Sequence, residues 1–289
     1  MKVFYKGIEV DVTHFIDAHP GGPEYLLEYE NQEIKQVFEE FQHSEAALEM
    51  LKDLQRIDEC REKDDIVDMD QPLLPQLLTL SKDQYLQLIH NPQHLDASVR
   101  LFKSDLLEMC GRTYWYVVPL VWVPCILFSL YLSPVSIAMS TVLFTCGLVL
   151  WTIVEYFLHR FVFHCDLYLP DNKYAILAHY LFHGIHHLHP MDQLRLVMPP
   201  ILTLVYSSLL TCITAMFLPI DYIFALYSGS IAGYVVYDIT HYWLHHSKSQ
   251  NSYFLSLKSK HLKHHYKNPA LGFGITTSYM DWVFNTEIK

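Results

Sequence analysis

Charge is scarce in this chain. Asp, Glu, Lys and Arg make up 18% of its 289 residues, against about 25% in an ordinary soluble domain, while hydrophobic residues reach 51%. That balance excludes a wholly soluble globular protein. Basic residues are thinnest at the front: residues 1–99 hold 21 Asp and Glu against 8 Lys and Arg, a net of −13, whereas residues 100–289 hold 10 acids and 12 bases, a net of +2. The acidic part reads either as a well-solvated surface or as a docking face for a basic partner. None of the six cysteines (Cys60, Cys110, Cys125, Cys146, Cys165 and Cys212) forms a CxxC pair, and three fall in long apolar runs. A disulfide framework and a thiolate metal site are thereby excluded. The amino end, MKVFYKGIEV, lacks the apolar core of a signal peptide, so the front part is expected to stay in the cytosol. No Ser/His/Asp or Cys/His nucleophile arrangement, phosphate-cradling loop or low-complexity segment occurs, and nothing points to nucleic acid.

What is present in quantity is apolar sequence. Four runs, near 114–133, 135–158, 196–218 and 220–240, approach the ~20 residues that a helix rising 1.5 Å per residue needs to cross a bilayer. The first pair is separated by Leu132-Ser133-Pro134 and the second by Pro219-Ile220-Asp221, so both read as helical hairpins. Neither turn holds a Lys or Arg. Arg100, Lys103, Arg112, Arg160, Lys173, Arg195, Lys248, Lys258, Lys260, Lys263 and Lys267 all lie on the other side. Positive charge marks the cytoplasmic face, which places the front part, the segment 159–195 and the carboxy tail together in the cytosol. Residues 64–100 read as a connector, acidic at first, then Pro-rich in DQPLLPQ, then weakly periodic. No repeat appears beyond the two hairpins.

Thirteen of the eighteen histidines lie between 159 and 265, just beyond the ends of the second and fourth apolar runs. They fall into patterned groups: His159 and His164 in HRFVFH; His183, His186 and His187 in HGIHH; His241 and His245 in HYWLHH; His261, His264 and His265 in HLKHH. Positions i, i+3 and i+4 share a helix face, so each HxxHH aims three imidazoles one way, and His241 and His245 do the same. His159 and His164 would point about 140° apart on an unbroken helix. Either the helix loosens there or the two side chains serve different metals. Ten imidazoles crowded on one face would repel one another if protonated; as ligands they suit two metals at five each. Imidazole takes Zn, Cu, Fe or Ni. Structural zinc closes at four ligands, whereas five-coordinate iron keeps a position open for oxygen, and soluble di-iron bundles use Glu-rich sites instead. Glu155, one turn before His159, reads as an acceptor orienting that imidazole, or else as a snorkelling residue. His179, His189 and His246 fall outside the pattern, as outer partners or surface residues.

These four histidine boxes resemble those of the fatty acid hydroxylase superfamily, and finer features resemble its fatty acid 2-hydroxylases. They are HGIHHLHPMDQLRLVMPP, LFKSDLLEMCGRTYWYVVPLVWVP at 101–124, and GFGITTSYMDWVFNT at the carboxy end. At the front, Asp11-Val12-Thr13 through His19-Pro20-Gly21-Gly22, with His43 in FQHSEAA 24 residues after His19, resembles the heme-binding region of cytochrome b5. The chain starts at the strand MKVFYKG, without the helix and strand that usually precede it there, a departure that bears on how tightly heme is held.

The resemblance implies an all-α integral membrane domain, with four transmembrane helices and a cytosolic helical cap, behind a small α+β cytochrome b5-like domain. The boundaries expected are 1–63 for the heme domain, 64–100 for the connector and 101–289 for the membrane domain. It implies O2-dependent 2-hydroxylation of a fatty acid, or of the fatty acyl chain of a sphingolipid such as ceramide, by two iron ions on the ten patterned histidines; zinc could replace iron in purified protein. No catalytic residue is expected beyond the ligands. It also implies heme b between His19 and His43, a closed ligation suited to electron transfer, fed by an NAD(P)H-dependent cytochrome b5 reductase or equivalent donor. The location implied is the endoplasmic reticulum membrane. Two other readings stand beside it: a superfamily oxygenase acting on a sterol or sphingoid base, and a non-catalytic heme protein that only passes electrons.

Overall fold

The computed structural model describes residues 1–13, 15–16, 19–41, 43, 45–55, 66–93, 98–247 and 251–288. Its first element is a hairpin, Lys2–Tyr5 antiparallel to Ile8–Asp11, with Val3 opposite Val10. Lys6 and Gly7 both adopt positive φ, 53° and 75°, the twist that a two-residue hairpin turn requires. Alternation sends Val3, Tyr5, Val10 and Val12 inward, where Ile34 and Leu51 from the helical part close a small core. Short helices Pro23–Leu27 and Lys35–Glu40, and the longer Glu45–Gln55, complete this α+β unit.

The stretch read as a connector has helices of its own, Leu73–Leu77 and Lys82–Ile89. Ser81 and Gln84 form a reciprocal capping box at the second. Helices this short are marginal alone, and five to eight residues are too few to show a clear period. Their apolar faces are completed by the second half of the chain: Leu73, Leu77, Tyr85, Leu88 and Ile89 share one buried cluster with Ile176, Tyr180, Ile185 and Leu188. A buried ion pair, Arg195 with Glu108, ties the approach to the first apolar helix onto the loop that follows HGIHH. Glu108 also accepts from the Leu101 and Phe102 amides at 2.9 and 3.0 Å, and Arg195 donates to the Gly111 carbonyl at 2.8 Å.

The apolar runs form helices Val117–Tyr131, Ile137–Phe157, Pro200–Ala215 and Ile220–His246. Two meet the length and apolarity needed to cross a membrane: the fourth, and the second together with its continuation to Phe163. The other two have 15 and 16 residues, about 24 Å at 1.5 Å per residue, short of a ~30 Å hydrocarbon layer. Outward side chains are apolar, with Ile137 87% and Leu209 61% exposed, a surface that lipid satisfies and water does not. The fourth helix is central and packs on the second and first. Gly147 and Gly229 let the second and fourth backbones touch: a Cβ at either would run into backbone of the other helix. Both helices begin at a hairpin turn and end at histidines, so all the patterned groups meet at one end of the bundle.

Candidate metal centre

A local widening of the helix brings His159 and His164 together. Leu158–Phe163 is a π-helical turn, and the His164 amide donates to the His159 carbonyl at 3.0 Å, five residues back. Such turns recur at functional sites because they re-aim side chains. A second one, Tyr180–Gly184, precedes His186 and His187.

The ten patterned histidines form two groups, each with five candidate donor atoms within 4.8 Å of one another. His159, His164, His183, His187 and His264 make the first; His186, His241, His245, His261 and His265 make the second. The two HxxHH boxes exchange members. Each sends its i, i+4 pair to one group and its middle histidine to the other, so imidazoles that share a helix face divide between two foci. The groups abut, with the His187 and His265 rings 4.4 Å apart.

In the first group, the Nε2 atoms of His159 and His183, His187 and His164, and His264 and His164 lie 3.0–3.1 Å apart. In the second, Nε2 of His261 lies 3.0, 2.8 and 3.1 Å from those of His241, His245 and His265. These are not ordinary hydrogen bonds throughout. His159 and His264 donate through Nδ1 to the Phe273 and Leu271 carbonyls, each at 2.7 Å, which leaves a lone pair on Nε2. Five ring nitrogens gathered within 4.8 Å of one another in a buried site are a donor set for a cation, and about 3 Å is the edge of an octahedron with metal–nitrogen bonds of about 2.1 Å. Both nitrogens of His186 and the Nδ1 atoms of His245, His261 and His265 are buried without a hydrogen-bond partner. Burial drives the imidazoles of His183, His187, His261 and His265 well below the usual histidine range and that of His264 to about 4, so they stand neutral, the form that ligates metal. The donor set fits two transition-metal ions.

Glu155 does not orient His159. Its carboxylate accepts from the Thr276 amide at 3.2 Å and hydroxyl at 2.6 Å, and the carbonyl of Phe273 holds the imidazole instead. The segment 271–286 is thus a clamp, folded by Asp281, which accepts from the Phe273 and Gly274 amides at 2.9 and 2.8 Å. Sequence reasoning missed this role; the signal available was Gly272, held at φ 75° so that the chain turns under His264. His179 lies outside both groups, bonded to the Tyr85 hydroxyl at 2.6 Å and paired with Asp166 at 3.0 Å. His189 is buried outside them, and His246 packs on the Tyr242 ring.

In the amino-terminal unit, His19 and His43 face each other with ring centroids 6.3 Å apart and planes at 27°. Each donates through Nδ1 to a backbone carbonyl at 2.8 Å, His19 to Gly22 and His43 to Phe38, and so keeps its Nε2 lone pair for a ligand. The spacing leaves room for one ion bonded to both at about 2 Å each.

Both parts of the chain match known protein families. Residues 144–286 match the fatty acid hydroxylase family, and residues 3–60 the cytochrome b5-like heme/steroid binding domain. The chain is 37% identical to the ceramide very long chain fatty acid hydroxylase scs7 of Schizosaccharomyces pombe, over 97% of this chain and 92% of that one. It is 33% identical to the fatty acid 2-hydroxylase of Rattus norvegicus, over 96% and 88%. The chain belongs to the fatty acid 2-hydroxylase family. A solved structure of full-length scs7p, in which only the hydroxylase domain is visible, is 40% identical and superposes with a TM-score of 0.74, covering 77% of this chain and 86% of that one. This hydroxylase therefore joins a membrane-associated lipid-oxidising domain with its histidine metal centre to a heme-binding, electron-transferring domain.

Between the second, third and fourth apolar helices the hydroxylase has a cavity of about 400 Å³. Leu150, Val154, Leu202 and Tyr206 line its length, and His183, His186 and His241 stand at one end. Beside the histidines Tyr234 donates to Asp238 at 3.1 Å. The cavity lining is predominantly apolar, with a few hydroxyl side chains such as Ser207, Thr211 and Ser230 among it, which suits an acyl chain entering tail-first or lying alongside. The heme site gives a direct expectation. His19→Ala and His43→Ala should each abolish a six-coordinate, low-spin heme spectrum and cut turnover on the natural electron chain; an unchanged spectrum in either would remove that residue from the site.

Proposed function

We propose that this enzyme hydroxylates C2 of a fatty acyl chain, presented as a fatty acid or within a sphingolipid, using two iron ions held by His159, His164, His183, His187 and His264 and by His186, His241, His245, His261 and His265. The observation that carries this reading is the convergence of ten neutral imidazoles, in two fives, at the end of an apolar cavity. When bound, a reduced metal pair supplies O2 activation: one oxygen atom enters the C2–H bond, the other leaves as water, and two electrons come from NAD(P)H. The protein's own part is placement. The cavity wall holds the acyl chain and excludes water, and Tyr234 and Asp238 offer hydrogen-bonding groups beside the histidines, where the polar end of the lipid must sit for C2 to approach the metals. The Phe273 and Leu271 carbonyls fix the Nδ1–H tautomer of His159 and His264, which keeps Nε2 aimed inward. A protein that only passes electrons would have no use for these ten side chains.

The same reading takes all four apolar helices as membrane-embedded in the endoplasmic reticulum, with the histidine end and amino terminus cytosolic, since the Lys and Arg residues gather there. It assigns residues 1–63 to the heme domain, 64–100 to the connector and 101–289 to the hydroxylase domain, with a reductase of the cytochrome b5 type supplying electrons. Mass spectrometry of 2-hydroxy acyl lipids in cells with and without the protein tests the reaction. Protein purified without chelator should hold about two metal ions per chain, one for each five-donor group. Unchanged 2-hydroxy lipids, or a folded sample with one metal or none, would sink the proposal.

A further inference from the structure

The widened turn Leu158–Phe163 ends at the Phe163 carbonyl, and the chain leaves the helix at His164, with φ −102° and ψ 48°. The last carbonyls of a helix have no donor within it. Here the donor comes from His179, buried at the end of helix Lys173–His179, whose Nε2 lies 2.7 Å from the Phe163 oxygen. The Asp166 carboxylate stands 3.0 Å from the same nitrogen. Both neighbours are acceptors, so Nε2 carries the hydrogen, and Nδ1 of the neutral ring accepts from the Tyr85 hydroxyl at 2.6 Å. Tyr85 belongs to helix Lys82–Ile89, in the stretch read as a connector. The same helix reaches Asp166 from the other side, where its C-cap His90 lies 3.0 Å from the second carboxylate oxygen. The Tyr85 hydroxyl also presses on Gly184, where it would collide with an added Cβ. Gly184 closes the second widened turn, Tyr180–Gly184, which carries His183 and starts directly after His179. The two turns that deliver His159, His164 and His183 to the first histidine group therefore meet at His179. The second group draws four of its five members from helices Ile220–His246 and Ser252–Tyr266, which take no part in these bonds.

We propose that His179 is a positioning residue for the first histidine group: by capping the Phe163 carbonyl it holds the widened turn in the form that brings His159 and His164 to one focus, and Tyr85 fixes which of its nitrogens carries the hydrogen. This rests on the two-metal reading above. Without the cap, a buried carbonyl is left unpaired, which favours another backbone path at the end of the turn. Tightening to an ordinary helix would send His159 and His164 about 140° apart. Without the Tyr85 hydroxyl, the ring hydrogen is free to move to Nδ1, and a lone pair on Nε2 would then face the Phe163 oxygen. The stretch 82–90 is thus a working part of the metal centre, although none of its residues belongs to either group of five.

The test uses the full chain with its metals bound, in lipid nanodiscs, dialysed against graded EDTA, and counts the metal retained per chain by plasma mass spectrometry. Wild type should hold two ions. His179→Leu should release one of them at an EDTA concentration about 10–100-fold lower, the range for loss of a group that supports a ligating histidine, and keep the other as wild type does. His179→Gln should restore the wild-type profile, because a glutamine amide can donate to the Phe163 carbonyl. Leu and Gln lose the same ring packing and differ in that bond, so a merely structural histidine would not separate them. In a His264→Ala background, whose firmly held ion sits in the second group, His179→Leu should change nothing further. Tyr85→Phe keeps the ring, removes only the hydroxyl and should weaken the same single ion; it decides the matter if His179→Leu does not fold. Wild-type retention in either folded variant, loss of both ions together, or a Gln variant that fails as Leu does would overturn the proposal. Wild-type protein that holds fewer than two ions would overturn the two-metal reading, and the proposal with it.

Discussion

His264→Ala, and separately His187→Ala, should bring 2-hydroxy lipid formation below about one hundredth of wild type while the protein still inserts into membranes. Loss of an outer partner of a metal-bound histidine alone costs about 10–100-fold in affinity or activity, and loss of the ligand itself must exceed that. Both side chains belong to the first group, and both approach His164 through Nε2, at 3.0 and 3.1 Å. Either alanine leaves four donors and a gap where an imidazole was buried. Insertion should survive, because the apolar helices satisfy their backbone hydrogen bonds internally and owe nothing to the metals. The measurement is product by mass spectrometry, with metal content and membrane fractionation on the same samples. Near-normal product from either variant would remove that histidine from the set.

A comparable loss is expected from a residue that touches no metal. Gly229→Ala, and more severely Gly229→Leu, should unfold the contact between the second and fourth apolar helices. The added Cβ would be forced onto the backbone of Phe144, as one at Gly147 would be forced onto that of Leu226 and Ser230. Backbone cannot rotate away as a side chain can. The cost should therefore reach the upper end of the overpacking range, about 3 kcal/mol or more, where helices in lipid otherwise gain from small residues at close crossings. The effect propagates to the site by simple geometry. His159 lies twelve residues beyond Gly147, and His241 twelve beyond Gly229, so each is about 18 Å along a helix from the crossing. Splaying the helices moves the two groups apart. Thermal unfolding and metal count read the result. Val149→Ala, at a position 57% exposed on the outer face, serves as the control and should change neither. A Gly229→Leu variant with wild-type Tm and full metal content would show that the helices do not meet as described.

Much of the site was legible along the chain because histidine ligands come in helical spacing. His241 and His245 lie one turn apart, and each HxxHH places its imidazoles on one face, so the ten residues can be picked out without a fold. Their division into two fives could not be read this way. It depends on which helix faces which, and the two HxxHH boxes trade their middle members across the interface. The pair His159 and His164 left two alternatives because a five-residue spacing is ambiguous until the backbone is known; the π-helical turn at Leu158–Phe163 puts both in one group. Glu155 was misread for a related reason. Proximity along a helix suggested a partner for His159, but the partner is the carbonyl of Phe273, 114 residues away.

The sequence by itself determined the class of molecule: an acidic heme-type front, four apolar runs, and a histidine set too patterned and too numerous for anything but metal. Composition and local spacing carry that information, because apolarity and helical periodicity are properties of short stretches. The tertiary structure decided what depends on distant segments meeting. It gathered the ten histidines at two foci, placed the carboxy-terminal clamp beneath them, packed residues 66–93 against the segment 169–188, and made Gly147 and Gly229 the point where two helices touch. Backbone carbonyls and glycines look alike in every sequence, and only close approach in space gives a particular one its function.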